Sequence, residues 1–99
     1  MDFQQQLLSG FMERISSNPI VGPAHISLFV ALLELSKLHG GCELRVKRAD
    51  VMPLARIAGI STYHRILNDL VDWDCISYVP KFDRKGSRIR LINGVGTSN

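Results

Sequence analysis

The chain has 99 residues and a formal net charge of +3, which suits one small domain with a single hydrophobic core. Its longest apolar run, at positions 26–35, is interrupted by polar residues and is too short to cross a bilayer. The N-terminal segment MDFQQQ lacks the basic residues that open a secretory signal, and two cysteines do not make a disulfide framework. We therefore expect a cytoplasmic protein that does not enter a membrane.

The first third of the chain predicts two helices separated by a linker. Apolar residues recur at helical spacing over 2–16, which predicts an amphipathic helix. Segment 16–23 contains serine, glycine and proline and marks a linker, and Pro23 suits the first turn of a second helix. That helix should run to about Leu38 and stop at the glycine pair 40–41; because it is apolar nearly all round, it should form the centre of the core. The apolar residues of the first helix are Phe3, Leu7, Leu8, Phe11, Met12 and Ile15.

The middle of the chain predicts a short strand and two closely spaced helices. Alternation of apolar and polar residues predicts the strand over 42–47. Asp50 is the expected N-cap of a helix over 51–58, and Gly59 is the expected left-handed residue that ends it. Ser61 should then cap the following helix and offer its hydroxyl or N–H to a phosphate. Two helices joined by such a tight turn are typical of a helix-turn-helix, although many helical hairpins share this pattern.

The helix predicted over 62–73 separates into an apolar and a polar face. Acidic residues gather towards its C-terminal end, where they would be repelled by phosphates. Any contact with DNA should therefore involve the first two turns, whose polar side chains can reach base edges in the major groove. The alternative is an ordinary amphipathic helix with a mixed surface. The candidate base-reading residues are Thr62, His64, Arg65 and Asn68, and the expected inward residues are Tyr63, Ile66, Leu67, Leu70 and Val71.

The C-terminal part of the chain predicts a β-hairpin with a basic loop. Ile76 and Tyr78 should share one side of the hairpin with Ile89 and Leu91, and the Gly-Ser pair 86–87 should turn the chain near the loop tip. Positions 81–90 hold five basic residues and one acid, whereas positions 1–40 hold two basic residues and three acids. A concentrated basic patch favours binding of polyanions, and the alternative is a hairpin kept in solution by its charge. The candidate phosphate-binding residues are Lys81, Arg84, Lys85, Arg88 and Arg90.

The predicted order is helix, strand, helix, tight turn, helix, strand, basic loop and strand, which is the order of a winged helix-turn-helix. We therefore predict an α+β fold in which a three-helix core carries a small antiparallel sheet and a basic wing, preceded by the N-terminal amphipathic helix. The predicted units are an N-terminal helical extension at 1–18, a winged-helix DNA-binding domain at 19–92 and a flexible tail at 93–99. Arg88 and Arg90, roughly 7 Å apart on one face of a strand, have a spacing suited to neighbouring phosphates.

Three stretches, AHISLFVALLEL, ISTYHRILNDLVDWDCISYVP and GSRIRLI, resemble small winged-helix DNA-binding proteins associated with bacterial mobile elements. The resemblance covers about two thirds of the chain and rests on STYHRIL, ISYVP and GSRIRL. It implies a winged helix that binds DNA in a small transcriptional regulator or an accessory factor. The N-terminal helix and the tail fall outside it, and it leaves the target sequence open.

The sequence shows no motif of an enzyme or a cofactor-binding protein. His39 and Cys42 have a spacing seen in metal sites, and Cys75 is expected on a neighbouring strand, but no second histidine or Cys-x-x-Cys pair completes the set. His25, near a helix start, is expected to be a surface or capping residue. Nucleotide-binding glycine patterns and recognised nucleophile motifs are missing from the sequence. We therefore expect no catalytic activity, no metal and no cofactor.

The leading hypothesis is sequence-specific binding of double-stranded DNA by a nucleoid-associated transcriptional regulator. One alternative is a winged-helix adaptor that binds other proteins, and another is an accessory factor in replication or recombination of a mobile element. The N-terminal helix must bury its apolar face, either on the second helix of its own chain or on a second copy. We expect a homodimer, because one small domain offers limited contact area for tight specific binding.

Overall fold

The computed structural model describes residues 3–39, 41–81 and 85–92, which form an α+β fold with four α-helices and one three-stranded antiparallel sheet. Among these residues, no helix is long and apolar enough to span a membrane. Candidate residue Arg84 and the predicted tail at 93–99 lie outside the described residues. The helices are α1 (Phe3–Ile15), α2 (Pro23–Ser36), α3 (Arg48–Ala55) and α4 (Ile60–Asp72), with a short 3-10 helix at Lys37–His39, and the strands are β1 (Glu43–Val46), β2 (Ile76–Val79) and β3 (Ser87–Leu91).

Helix α2 lies at the centre of the core, as its sequence predicts. Leu28, Phe29 and Leu32 are fully buried, and α2 contacts α1, α3, α4 and β1. The hydroxyl of Ser27 donates a hydrogen bond to the backbone carbonyl of Ala55 at the end of α3. An apolar helix covered on several sides removes a large hydrophobic area from water, at about 25 cal/mol for each Å².

Helix α1 packs its apolar face against α2 of the same chain. Leu7, Phe11 and Ile15 are buried. The ring of Phe11 stacks on that of Phe29, with centroids 4.0 Å apart and planes 3° from parallel. The predicted amphipathic helix is therefore confirmed, and the buried part of its apolar face is covered within one chain. The need to bury Leu7, Phe11 and Ile15 thus supplies no argument for a dimer.

Strand β3 lies between β1 and β2, and its inner residues join the core. Ile89 is opposite Leu44 of β1 and Tyr78 of β2, while Ile76 is opposite Leu91. The side-chain alternation predicted for the hairpin is confirmed by this register. Because successive side chains point to opposite faces of a sheet, the residues between these apolar ones face outward.

Helix α3 and the turn after it differ from the prediction. The helix begins before the predicted range 51–58, with Lys47 as its N-cap, so the prediction that Asp50 caps it is wrong. Asp50 lies in the first turn instead, where a carboxylate interacts favourably with the helix dipole. Arg56, with φ 62°, takes the left-handed conformation that ends α3. The prediction that Gly59 has this role is therefore wrong.

Helix α4 begins earlier than its sequence predicts. Gly59 has extended backbone angles (φ −93°, ψ 133°) and is the N-cap, and its carbonyl accepts a hydrogen bond from the N–H of Tyr63 at 2.9 Å. Ser61 lies inside the helix, and the cap makes no side-chain hydrogen bond, so the predicted capping role of Ser61 is wrong. Arg56 already supplies the left-handed residue that ends α3, so Gly59 takes the extended conformation of an N-cap.

Gly86 passes close to the backbone at the end of β1. Its φ of +87° belongs to the left-handed region, and an added Cβ would lie 2.3 Å from the carbonyl oxygen of Val46 and 2.9 Å from the nitrogen of Lys47. Ser87 already pairs with Val46 as the first residue of β3. The Gly-Ser pair therefore leads the chain into the strand at the base of the loop rather than forming the loop tip.

We expect Gly86→Ala to lower the free energy of unfolding by about 2–4 kcal/mol, since the new methyl group meets backbone and the backbone angle is strained. Gly41→Ala is the matched control, because nothing lies within 4 Å of a Cβ at that position, and it should change stability by less than about 0.5 kcal/mol. Urea denaturation measures both. Equal stabilities of the two variants would contradict the close packing of the hairpin on β1.

Candidate nucleic-acid interface

An open cleft of about 890 Å³ lies between the start of α3, the N-terminal half of α4 and the base of the hairpin; we call it the helix–hairpin cleft. Its lining combines apolar side chains, among them Met52, Tyr63 and Tyr78, with polar and basic ones. Because the cleft is open, its polar groups stay accessible to water and to an extended ligand. The polar and basic lining residues are Lys47, Arg48, His64, Asn68, Lys81 and Ser87.

Three exposed basic residues line the helix–hairpin cleft: Lys47, Arg48 and Lys81. Lys81 was among the predicted phosphate-binding residues. Lys47 and Arg48 were not, although they form a basic pair at the junction of a strand and a helix, and this pair is the signal that could have identified them. Clustered cations around one cleft raise its local potential and attract a polyanion.

Helix α4 turns its predicted base-reading residues outward, as expected from its sequence. Thr62, Arg65 and Asn68 are exposed, and His64 is half-buried with its ring 5.3 Å from that of Tyr63. His64 and Asn68 line the helix–hairpin cleft, whereas Thr62 and Arg65 do not. The inward residues Tyr63, Ile66, Leu67 and Leu70 are buried as predicted, and Val71 is half-buried.

The basic residues of the hairpin do not share one surface. Arg88 and Arg90 point to the outer face of the sheet and are not in the helix–hairpin cleft. There they approach the carboxylate of Glu43, with Arg88 Nε 3.4 Å from Oε2 and an Arg90 terminal nitrogen 3.7 Å from Oε1. Lys85 is exposed in the loop. The structure therefore places Lys81 on one surface and Arg88 and Arg90 on another.

His25 connects the beginning of α2 to α4. Its Nδ1 accepts a hydrogen bond from the N–H of Gly22 at 2.9 Å, and its Nε2 lies 2.8 Å from Oδ2 of Asp69. Since Nδ1 is an acceptor, the neutral ring carries its proton on Nε2 and donates it to the carboxylate. The predicted capping role is confirmed, but His25 is only 3% exposed, so a surface position is wrong. The ring also packs 4.7 Å from that of Trp73.

Cys75 is buried, and the described ranges hold no cluster of metal-binding side chains. Within those ranges, no group of three His, Cys, Asp or Glu side chains is placed to hold a metal ion. Burial raises the pKa of the Cys75 thiol to about 11, which keeps it protonated and weakly nucleophilic at neutral pH.

Comparison of the chain with protein-family models, with curated proteins and with solved structures finds no match. The resemblance to winged-helix proteins of mobile elements therefore stays a prediction.

Tyr63, which lines the helix–hairpin cleft, should make the free energy of unfolding fall at alkaline pH. Burial, helped by the nearby Tyr78, raises the pKa of Tyr63 from 10.0 to about 12, while Arg48 opposes this effect. The unfolded chain ionises this hydroxyl first, so the folded state should lose on the order of 2–3 kcal/mol between about pH 10 and pH 12. Burial of Cys75 adds a similar loss that begins near pH 9.

We expect Tyr63→Phe to lose less stability than the unmodified protein between pH 10 and pH 12, because the variant has no hydroxyl to ionise at this position. Chemical denaturation at pH 8, 10 and 12 measures the difference. The Cys75 contribution should remain in both proteins. Identical dependence on pH would show that the Tyr63 hydroxyl reaches water.

Proposed function

We propose that this protein binds double-stranded DNA as a winged helix-turn-helix and acts as a transcriptional regulator. In this proposal α4 is the recognition helix in the major groove, and the β2–β3 hairpin is the wing on the sugar-phosphate backbone. One observation carries the proposal: Lys47, Arg48 and Lys81 line the same cleft as His64 and Asn68 of α4. Cations beside outward polar side chains combine the two requirements of DNA recognition, which are phosphate contact and base contact.

Each group has a distinct role in this proposal. Thr62, His64, Arg65 and Asn68 read base edges from the first turns of α4. The hydroxyl of Ser61, exposed at the start of the helix, contacts a phosphate. Phosphates are also contacted by Lys47, Arg48, Lys81 and Lys85, and by Arg84, which lies outside the described residues.

The charges of the cleft favour DNA over a protein partner. A protein-interaction adaptor would present an apolar docking surface, whereas the apolar lining here is accompanied by exposed cations. An accessory factor in replication or recombination of a mobile element would use the same DNA contacts. The two DNA-binding roles differ in where the protein acts in the genome, which a genome-wide footprint resolves.

We also propose a homodimer through the N-terminal helix, with less apolar surface available for it than the sequence predicts. The face formed by Leu7, Phe11 and Ile15 is already buried within the chain. What supports a dimer on α1 is the remaining apolar surface of Phe3 and Met12, which are 41% and 45% exposed. Sedimentation at micromolar concentration, with and without DNA, distinguishes a monomer from a two-fold dimer.

Removing the basic pair at the start of α3 tests the cleft. Lys47→Ala/Arg48→Ala should weaken binding to all duplexes and reduce the slope of log K against log salt by about 0.9 for each phosphate that the variant no longer neutralises. The charge-matched control is Arg14→Ala/Lys37→Ala, which removes one arginine and one lysine from α1 and the 3-10 helix. If both double variants weaken binding equally, the cleft residues contribute only through the general charge of the protein.

The readout by α4 is tested at Arg65, whose guanidinium can bond both acceptors of guanine. The preferred site is first selected from a random DNA pool. Arg65→Ala should then cost about 1–3 kcal/mol at that site and much less on random DNA. Arg65→Lys keeps the charge but loses the bidentate geometry, so it should lose preference while retaining most non-specific affinity. Equal losses on both DNAs would make Arg65 a backbone contact.

A further inference from the structure

The outer face of the sheet carries a charged cluster that the cleft does not use. Glu43 and Arg45 of β1 are paired in register with Arg90 and Arg88 of β3, and the four side chains share one face. The Glu43 carboxylate approaches Arg88 with one oxygen and Arg90 with the other, at 3.4 and 3.7 Å. Arg45 donates from Nε to the carbonyl of Gly86 at 3.2 Å and so holds the base of the hairpin.

These ion pairs lie in water and are open to exchange. The side chains of Glu43, Arg88 and Arg90 are 46%, 47% and 60% exposed. Exposed pairs at such distances are weak, because water and salt screen both partners. A phosphate diester offers arginine a better acceptor than a distant carboxylate does, because it accepts from the guanidinium fork at short range. Glu43 therefore holds Arg88 and Arg90 only loosely.

We propose that the outer face of the sheet is a second phosphate-binding surface for duplex DNA, and that Glu43 is its internal competitor. The inference rests on the proposed function and extends it to a surface on the opposite side of the sheet from the residues that line the cleft. The charge of this face carries it, since the face holds three arginines and one carboxylate. Glu43 lowers the affinity of the surface by occupying Arg88 and Arg90 and by repelling phosphates.

The test compares Glu43→Gln with Glu34→Gln. Both substitutions remove one carboxylate from an exposed ion pair, but Glu34 pairs with Lys37 at 3.0 Å on another surface. Glu43→Gln should bind duplex DNA about two- to fivefold more tightly at low salt, with a slope against log salt steeper by up to about 0.9. Glu34→Gln should not. The gain should vanish in the Arg88→Ala/Arg90→Ala background, and circular dichroism confirms that each variant is folded.

Two results overturn the inference while leaving the proposed function intact. One is equal binding of duplex DNA by Glu43→Gln and Glu34→Gln. The other is tighter binding by Glu43→Gln that persists in the Arg88→Ala/Arg90→Ala background, because such a gain would be a general charge effect. If the unsubstituted protein binds no duplex, the proposed function fails, and elution from immobilised heparin decides the outer face separately. If Glu43→Gln elutes later than the unsubstituted protein, and this delay is lost in the Arg88→Ala/Arg90→Ala background, the outer face binds polyanions and Glu43 weakens that binding. Unchanged elution overturns the inference.

Discussion

Helix α2 is apolar on nearly all sides, and the need to cover it in water determines where its neighbours pack. Each of the other helices is attached to it by a specific contact. Phe11 of α1 stacks on Phe29, Ser27 bonds the end of α3, and His25 bonds Asp69 of α4. These contacts lie at different positions along α2, so a single helix sets the orientation of the other three.

The bond between His25 and Asp69 has the most direct consequence for the proposed interface. It ties the C-terminal half of α4 to the start of α2, which leaves the N-terminal half to present its polar side chains outward. A hydrogen bond in a partly buried site is stronger than one in water, and breaking it would leave the buried ring nitrogen of His25 without this partner. The same bond turns the Asp69 carboxylate towards His25 of α2.

Periodicity predicted the helices, the strands and the inward residues well, because burial of apolar side chains dominates both patterns. It failed where the backbone conformation of single residues, or a contact with a residue distant in sequence, determines the local structure. Glycine is the usual left-handed residue, yet Arg56 takes this conformation and Gly59 is extended. The sequence around His25 does not reveal that its ring bonds Asp69, because that partner is distant in sequence. The cleft cations Lys47 and Arg48 were not predicted, because the hairpin holds the denser cluster of positive charge.

The separation of the hairpin arginines from the cleft could have been derived from the sequence, since it follows from alternation alone. Ile89 and Leu91 must face the core, and a period of two then forces Arg88 and Arg90 onto the opposite face. The strand cannot bury its apolar residues and also direct these arginines into the helix–hairpin cleft. Lys81 and Lys85 precede the strand and escape this constraint. Contacts between the hairpin and DNA inside the cleft must therefore come from loop residues. Arg88 and Arg90 either contact another stretch of the DNA backbone or make no contact with DNA.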